Sequence, residues 1–163
     1  MADIQSWESF AVLGGTASGT LTGLLFVAVS LNRDHIARHA ELRASAAQTL
    51  VLLILPLPVS VLMLAPAQPS WALGAEIVAF AIAAAVVLTV IARGKKTVDA
   101  KSQIARLLDR RRTSRVTTLL LFVAGATEAA GHGGGLYWLA PAVLFALLGG
   151  VYNAWIFLIE QTD

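Results

Sequence analysis

The sequence of 163 residues lacks cysteine and contains few charged residues. Without cysteine, the chain can form neither a disulfide framework nor a thiolate metal site. Charged side chains account for 13% of the residues and apolar side chains for 57%. A soluble domain of this size is nearer ~45–50% apolar. The composition therefore indicates a membrane protein, and we expect it to hold no cofactor and no metal.

Lysine and arginine are missing from five long apolar runs, which cover residues 10–31, 44–65, 71–92, 116–130 and 136–159. A transmembrane helix needs about 20 predominantly apolar residues. The runs predict an all-α membrane bundle of five transmembrane helices, in one domain that covers residues 1–163. The fourth run is the shortest and contains Glu128, so four crossings with a re-entrant or interfacial segment are the alternative.

All twelve lysines and arginines lie in two connections, three within residues 33–43 and nine within residues 93–115. Because short cytoplasmic loops collect basic residues, we expect both connections to be cytoplasmic, the N-terminus to lie outside, and the protein to reside in the plasma (inner) membrane of a bacterium. Four aromatic residues then lie at the outer interface, where amphipathic rings are enriched. They are Trp7, Trp71, Tyr137 and Trp138.

The second connection, residues 93–115, predicts a basic amphipathic helix, because Ile104, Leu107 and Leu108 recur at helical spacing. It is either a topology determinant or a site for anionic lipid or another membrane protein, since each basic residue near an anionic leaflet is worth about 1 kcal/mol. No aromatic residue interleaves with the charges to stack bases, so we expect no nucleic acid partner. Its principal basic residues are Lys95, Lys96, Arg106, Arg110, Arg111, Arg112 and Arg115.

Small residues are concentrated in the first run, where Gly15, Gly19 and Gly23 are spaced by four. Helix association in a bilayer depends on close backbone approach and interhelical hydrogen bonds, which small and hydroxyl residues provide. We therefore expect this helix to face protein or a pore, and the protein to be a homo-oligomer. The candidate pore-lining residues are Thr16, Ser18, Thr20 and Thr22.

The same spacing recurs in the fifth run as Ala142, Ala146, Gly150 and Ala154, and in the third as Ala75, Ala79 and Ala83. These ridges predict further helix packing. The second run is bulky nearly all round and contains Pro56 and Pro58. We expect it to be kinked and to occupy a peripheral, lipid-facing position.

Polar residues within the runs are few, and such residues are default candidates for function. The predicted topology puts three carboxylates at similar outer depth, with a histidine four residues after the last. These residues are Glu8, Glu76, Glu128 and His132. They form a candidate outer cation site; alternatively, they are interfacial groups in contact with headgroups. Gln48 and Asn153 lie toward the inner half, where each predicts a hydrogen bond between helices or a water-filled path.

Both ends of the chain resemble a family of small, largely uncharacterised bacterial multi-pass membrane proteins, some of which carry the label "modulator of FtsH protease". The resemblance covers about a third of the chain and lies in Trp7, the glycine helix through Phe26, Ser30, Asn32, Gly135, Tyr137, Trp138, Pro141, Asn153, Trp155 and Glu160. It implies a membrane protein and assigns no catalytic residues.

The sequence contains no assembled catalytic motif. "HGGG" at residues 132–135 matches the oxyanion loop of lipases, but the accompanying G-x-S-x-G is absent. We therefore expect a non-enzymatic protein and hold two hypotheses for its function. One is a homo-oligomeric cation channel lined by the first helix. The alternative is a non-conducting accessory subunit that docks another membrane protein, for example a membrane protease, or anionic lipid.

Overall fold

The structure, a computed structural model, describes residues 7–92, 110–131 and 134–159. Within these ranges all regular elements are helices and no strand occurs, so the all-helical prediction is confirmed. The helices are α1 (Glu8–Leu31), α2 (Arg33–Arg38), α3 (Ala40–Ile54), α4 (Pro56–Met63), α5 (Ser70–Ala92), α6 (Arg110–Ala129) and α7 (Leu139–Ile159), the last preceded by a 3-10 helix (Gly135–Trp138).

Four helical segments of the described chain are long and apolar enough to cross a membrane. They are Glu8–Leu31, Leu42–Met63, Ser70–Ala92 and Gly135–Ile156, and they match the first, second, third and fifth apolar runs. The fourth run lies in α6, which begins with three consecutive arginines and is not among the four. The chain is therefore a helical membrane protein with four candidate spans.

The second span is interrupted at Leu55, between α3 and α4. Pro56 and Pro58 have no backbone N–H and cannot continue the i→i−4 ladder. The carbonyls that lose a helical partner are those of Leu52 and Ile54, four residues before each proline. The Leu53 carbonyl between them accepts a hydrogen bond from the Ser18 hydroxyl of α1 at 2.5 Å. Ser60 donates to the Pro56 carbonyl of its own helix at 2.8 Å. The Ser18–Leu53 hydrogen bond thus fastens α1 to the middle of the second span.

The second span lies at the centre of the bundle, and the prediction of a peripheral, lipid-facing position is wrong. Of its most apolar stretch, 56% is buried, compared with 17% for α1. The α3 helix packs on α1, α5 and α7, and α4 packs mainly on α1. The physical reason is complementarity: bulky residues of the central span fill the grooves that small residues leave on its neighbours. Leu53, for example, occupies the space beside Gly150 of α7.

The α6 helix packs along α5 and also contacts α7 and the 3-10 helix. Its approach to α5 is close: a Cβ atom built on Gly125 would lie 2.8 Å from the carbonyl oxygen of Gly74. The buried face of α6 changes character along its length, from the hydroxyl residues Thr113 and Thr117 to the apolar Leu121. This helix therefore contributes both to the apolar core and to a polar region near its start.

The bundle has two chemically distinct ends. The aromatic end carries Trp7, Trp71, Tyr137 and Trp138, and the Trp7 ring meets the Tyr137 ring edge-on at a centroid distance of 5.0 Å. The opposite end, here called the basic end, carries Arg33, Arg38, Arg43, Arg112 and Arg115. Between the two ends, α1, α5, α6 and α7 expose large apolar side chains, as a lipid-facing surface requires.

Candidate functional site

The glycine ridge of α1 passes from the protein interior to its surface. A Cβ atom on Gly15 would lie 3.0 Å from the Ser60 Cβ, and one on Gly19 would lie 3.5 Å from the Leu57 Cδ1. At Gly23, no other atom of the described chain lies within 4 Å. The first two glycines therefore pack on α4, whereas Gly23 leaves open space on the outside of the bundle.

The hydroxyl residues of α1 divide between the interior and the surface. Ser18 is fully buried and bonds to the Leu53 carbonyl. Thr16 and Thr20 are exposed, and the Thr20 hydroxyl donates to the Thr16 carbonyl at 2.8 Å. Thr22 is half-buried, and its hydroxyl oxygen has no hydrogen-bond partner in the described part of the chain. Of the four candidate pore-lining residues, Thr16 and Thr20 thus face outward in one protomer.

The two other small-residue ridges have opposite positions. On α7, Ala142, Ala146 and Gly150 are buried inside the protomer and Ala154 is half-buried. On α5, the ridge of Ala75, Ala79 and Ala83 is exposed. Spacing by four identified both ridges equally, because it does not say which side of a helix faces the core.

Glu128 is buried at the aromatic end, with 8% of its surface exposed. The backbone N–H of Leu136 donates to its carboxylate. A Cβ atom on Gly135 would lie 2.8 Å from its Oε2 atom, so the glycine allows the carboxylate to approach the 3-10 helix. Glu128 therefore holds the start of the 3-10 helix against α6.

The other two carboxylates lie elsewhere at the aromatic end. Glu76 accepts a hydrogen bond from the Gln68 side chain at 2.5 Å. Glu8 and Gln68 line a cavity of about 360 Å³ between α1 and the segment joining α4 to α5. Within the described ranges, no group of three or more His, Asp or Glu residues is placed to hold a metal ion, and His132 lies outside those ranges. The described carboxylates therefore form no such group among themselves, and the outer cation site with His132 stays a prediction.

A cluster of buried polar residues lies between α3, α6 and α7 near the basic end. Its members, all at most 6% exposed, are Ser45, Gln48, Thr49, Thr113, Ser114, Thr117 and Asn153. The sequence indicated only Gln48 and Asn153. Residues 113, 114 and 117 have the spacing of one helical face, which is a sequence signal for a shared polar face. The arginines around them made the whole segment look like an exposed basic one.

A hydrogen bond within this cluster joins α3 and α6. The Gln48 Nε2 atom donates to the Ser114 Oγ atom at 3.1 Å, which confirms the predicted interhelical bond for Gln48. Three buried polar atoms have no partner in the part of the chain that the structure describes: Thr113 Oγ1, Thr117 Oγ1 and Asn153 Nδ2. Buried polar groups in native proteins are satisfied by protein or ordered water, so this region suits internal hydration.

Two arginines of the predicted basic segment are described with their side chains. Arg112 and Arg115 are exposed at the start of α6. Lys95, Lys96 and Arg106 lie outside the described residues, as do the side chains of Arg110 and Arg111. The described part of the segment therefore places positive charge at one end of the bundle.

Comparison of the chain with protein-family models, with curated proteins and with solved structures finds no match. The family resemblance noted in the sequence therefore stays a prediction.

Proposed function

We propose that the protein is a non-enzymatic membrane protein that associates with copies of itself through the outer face of α1 and forms a cation channel. The observation that carries the proposal is the composition of this face. The α1 helix is the least buried of the four candidate spans, and its exposed face includes Thr16, Thr20 and Gly23 among large apolar residues such as Leu13 and Val27. Small and hydroxyl residues gain little from contact with acyl chains, whereas they favour helix association.

The hydrogen bonding of the exposed threonine favours cations. The Thr20 hydroxyl gives its proton to the Thr16 carbonyl, so the lone pairs of its oxygen are available to a passing ion. Oxygen atoms around an axis replace part of the hydration shell of a cation. In the proposed oligomer, Thr16 and Thr20 of each copy face the axis, and Ser18 fastens α1 to the protomer.

We also propose that α6 is a fifth crossing, located between α5 and α7. Its exposed side chains include Val116, Leu119 and Phe122, which suit contact with lipid. Arg112 and Arg115 then lie at the membrane boundary, where long basic side chains reach the interface. In this arrangement the aromatic end faces outward, the basic end faces the cytoplasm, and the membrane is the bacterial inner membrane.

The proposal is tested by measuring cation flux in liposomes. Wild-type protein should dissipate an imposed K⁺ or Na⁺ gradient. Thr20→Val, which keeps the shape and removes the hydroxyl, should lower the flux without changing the oligomer. Gly23→Leu should reduce the oligomer to monomers in native mass spectrometry, because its new side chain occupies the open space on α1. Val86→Leu, an exposed apolar position on α5, is the matched control and should change neither.

Two results would contradict the channel. If K⁺, Na⁺, H⁺ and Ca²⁺ all fail to cross under voltage and pH gradients while the oligomer persists, the accessory hypothesis replaces it. The same α1 face then docks another membrane protein, such as a membrane protease. A protein that is monomeric in native mass spectrometry under all mild detergents would contradict the proposed self-association.

A further inference from the structure

Two adjoining cavities lie between α5 and α6, on the side of α6 that faces away from α7. The first, of about 350 Å³, also touches α3 and is lined by five polar residues: Gln48, Thr89, Ser114, Arg115 and Thr118. The second, of about 370 Å³, has an apolar lining that includes Ile82, Leu119 and Phe122. Ala85, Arg115 and Thr118 line both, so the two cavities lie side by side.

The order of the two cavities follows from the helix directions. The α5 helix runs toward the basic end and α6 runs away from it. Ile82 precedes Thr89 on α5, and Phe122 follows Ser114 on α6, so the apolar cavity lies deeper in the bundle than the polar one. From Ser114 to Phe122 the helix rises about 12 Å. The polar cavity is thus at the basic end, and the apolar cavity extends from it toward the aromatic end.

The polar cavity is lined by one cationic side chain, Arg115, and by hydrogen-bonding side chains. Arg115 is exposed and pairs with no carboxylate in the described part of the chain. Ser114 lies beside Arg115 in this lining and accepts a hydrogen bond from Gln48. Thr89 and Thr118 donate to carbonyls of their own helices at 2.6 and 2.8 Å, which leaves their oxygens as acceptors. The cavity can therefore receive a phosphate together with a hydroxyl group.

We propose that these two cavities form one binding site for an anionic glycerophospholipid with a hydroxyl-bearing headgroup. Its phosphate lies beside Arg115, and one acyl chain lies in the groove between Ile82 and Phe122. Basic pockets between transmembrane helices are suited to anionic headgroups. The adjoining apolar groove selects a lipid over a free phosphate ester, since a soluble anion would leave the groove unfilled.

This site does not depend on the proposed channel, because no residue of α1 lines either cavity. Loss of conduction and loss of lipid binding are therefore separate outcomes. A protein that conducts without retaining lipid, or that retains lipid without conducting, would contradict only one of the two proposals.

The test is native mass spectrometry of the full chain in mild detergent, titrated with phosphatidylglycerol or phosphatidylcholine. Wild-type protein should retain one phosphatidylglycerol per protomer and bind it more tightly than phosphatidylcholine. Arg115→Gln should lower the affinity for phosphatidylglycerol about fivefold, the loss expected for one basic contact, and lower that for phosphatidylcholine less, because the choline cation already offsets the phosphate charge. Arg112→Gln, an exposed arginine on the same helix that lines neither cavity, should have no effect.

A second variant tests the groove. Ala85→Leu, at the junction of the two cavities, should weaken both lipids equally, with a thermal midpoint close to wild type as the check on folding. Equal losses in Arg112→Gln and Arg115→Gln would overturn the proposal in favour of diffuse surface charge. Displacement of the lipid by an equal concentration of soluble glycerophosphoglycerol would overturn it in favour of a phosphate-ester site.

Discussion

At the residue scale, glycines decide how closely the helices approach one another. Gly74 and Gly125 bring the α5 and α6 backbones together, and a Cβ atom on Gly74 would lie 2.6 Å from the Gly125 carbonyl oxygen. This close pair was not among the packing ridges predicted from the sequence. Gly125 and Ala129 are spaced by four, which is the same packing signal that the α1 glycines give.

Two Gly→Ala variants should therefore have opposite effects on stability. Gly125→Ala should destabilise the bundle by about 1–3 kcal/mol, the usual cost of overpacking, because its Cβ would contact backbone atoms of Gly74 and Val78. Gly23→Ala should be neutral or stabilising, since alanine favours a helix by roughly 0.5–1 kcal/mol and meets no described atom there. Unfolding in mild detergent, followed by circular dichroism, measures both. Equal effects would show that the close approach carries no strain.

A buried amide provides a second test at this scale. The Asn153 Nδ2 atom has no partner in the described chain, and internal water in this region would satisfy it. Asn153→Leu, of similar volume, should therefore lower the free energy of unfolding by about 1–3 kcal/mol, because it removes the amide and leaves the groups and water around it unpaired. An unchanged or higher free energy of unfolding would show that the amide binds neither water nor ligand. Thr49→Val is the control, because it removes a buried hydroxyl that has a partner: the Thr49 hydroxyl donates to the Ser45 carbonyl at 2.9 Å.

At the element scale, α6 is the helix whose role hydropathy describes least well. Its first residues are arginines, which lower its mean hydropathy, yet its remaining length packs on α5 and α7 as a membrane helix would. Mean hydropathy averages the contributions of all residues in a helix, whereas the cost of a charged residue in a membrane depends on its position along the helix. A helix with charge at one end and apolar residues along the rest therefore gives a weak signal in mean hydropathy.

The absence of native cysteine makes the crossing of α6 directly testable. In spheroplasts and inverted vesicles, Ala130→Cys should react with an impermeant maleimide from the same side as Ala67→Cys. Arg112→Cys should react from the opposite side. These three positions lie at the two ends of α6 and in the segment between α4 and α5. If Ala130→Cys and Arg112→Cys react from one side, α6 is re-entrant and the four-crossing alternative is correct.

At the scale of the whole molecule, the arrangement separates three surfaces. The α1 face carries Thr16, Thr20 and Gly23 among large apolar residues, the α5–α6 face carries the two adjoining cavities, and the polar cluster lies inside at the basic end. Self-association through α1 would leave the α5–α6 face in contact with lipid. Assembly and lipid binding can therefore vary independently, which is why the flux and lipid experiments distinguish between them.

The sequence by itself determined the class of protein, the helical elements, the position of four spans and the separation of basic from apolar segments. Composition and the length of apolar runs suffice for these, since crossing a bilayer requires a hydrophobic segment of defined length. Only the tertiary structure decided which span is central, which face of α5 is buried and how the carboxylates are engaged. The reason is that acyl chains and a protein core are equally apolar. The sequence pattern around a leucine such as Leu53 is therefore the same whether lipid or Gly150 lies beside it.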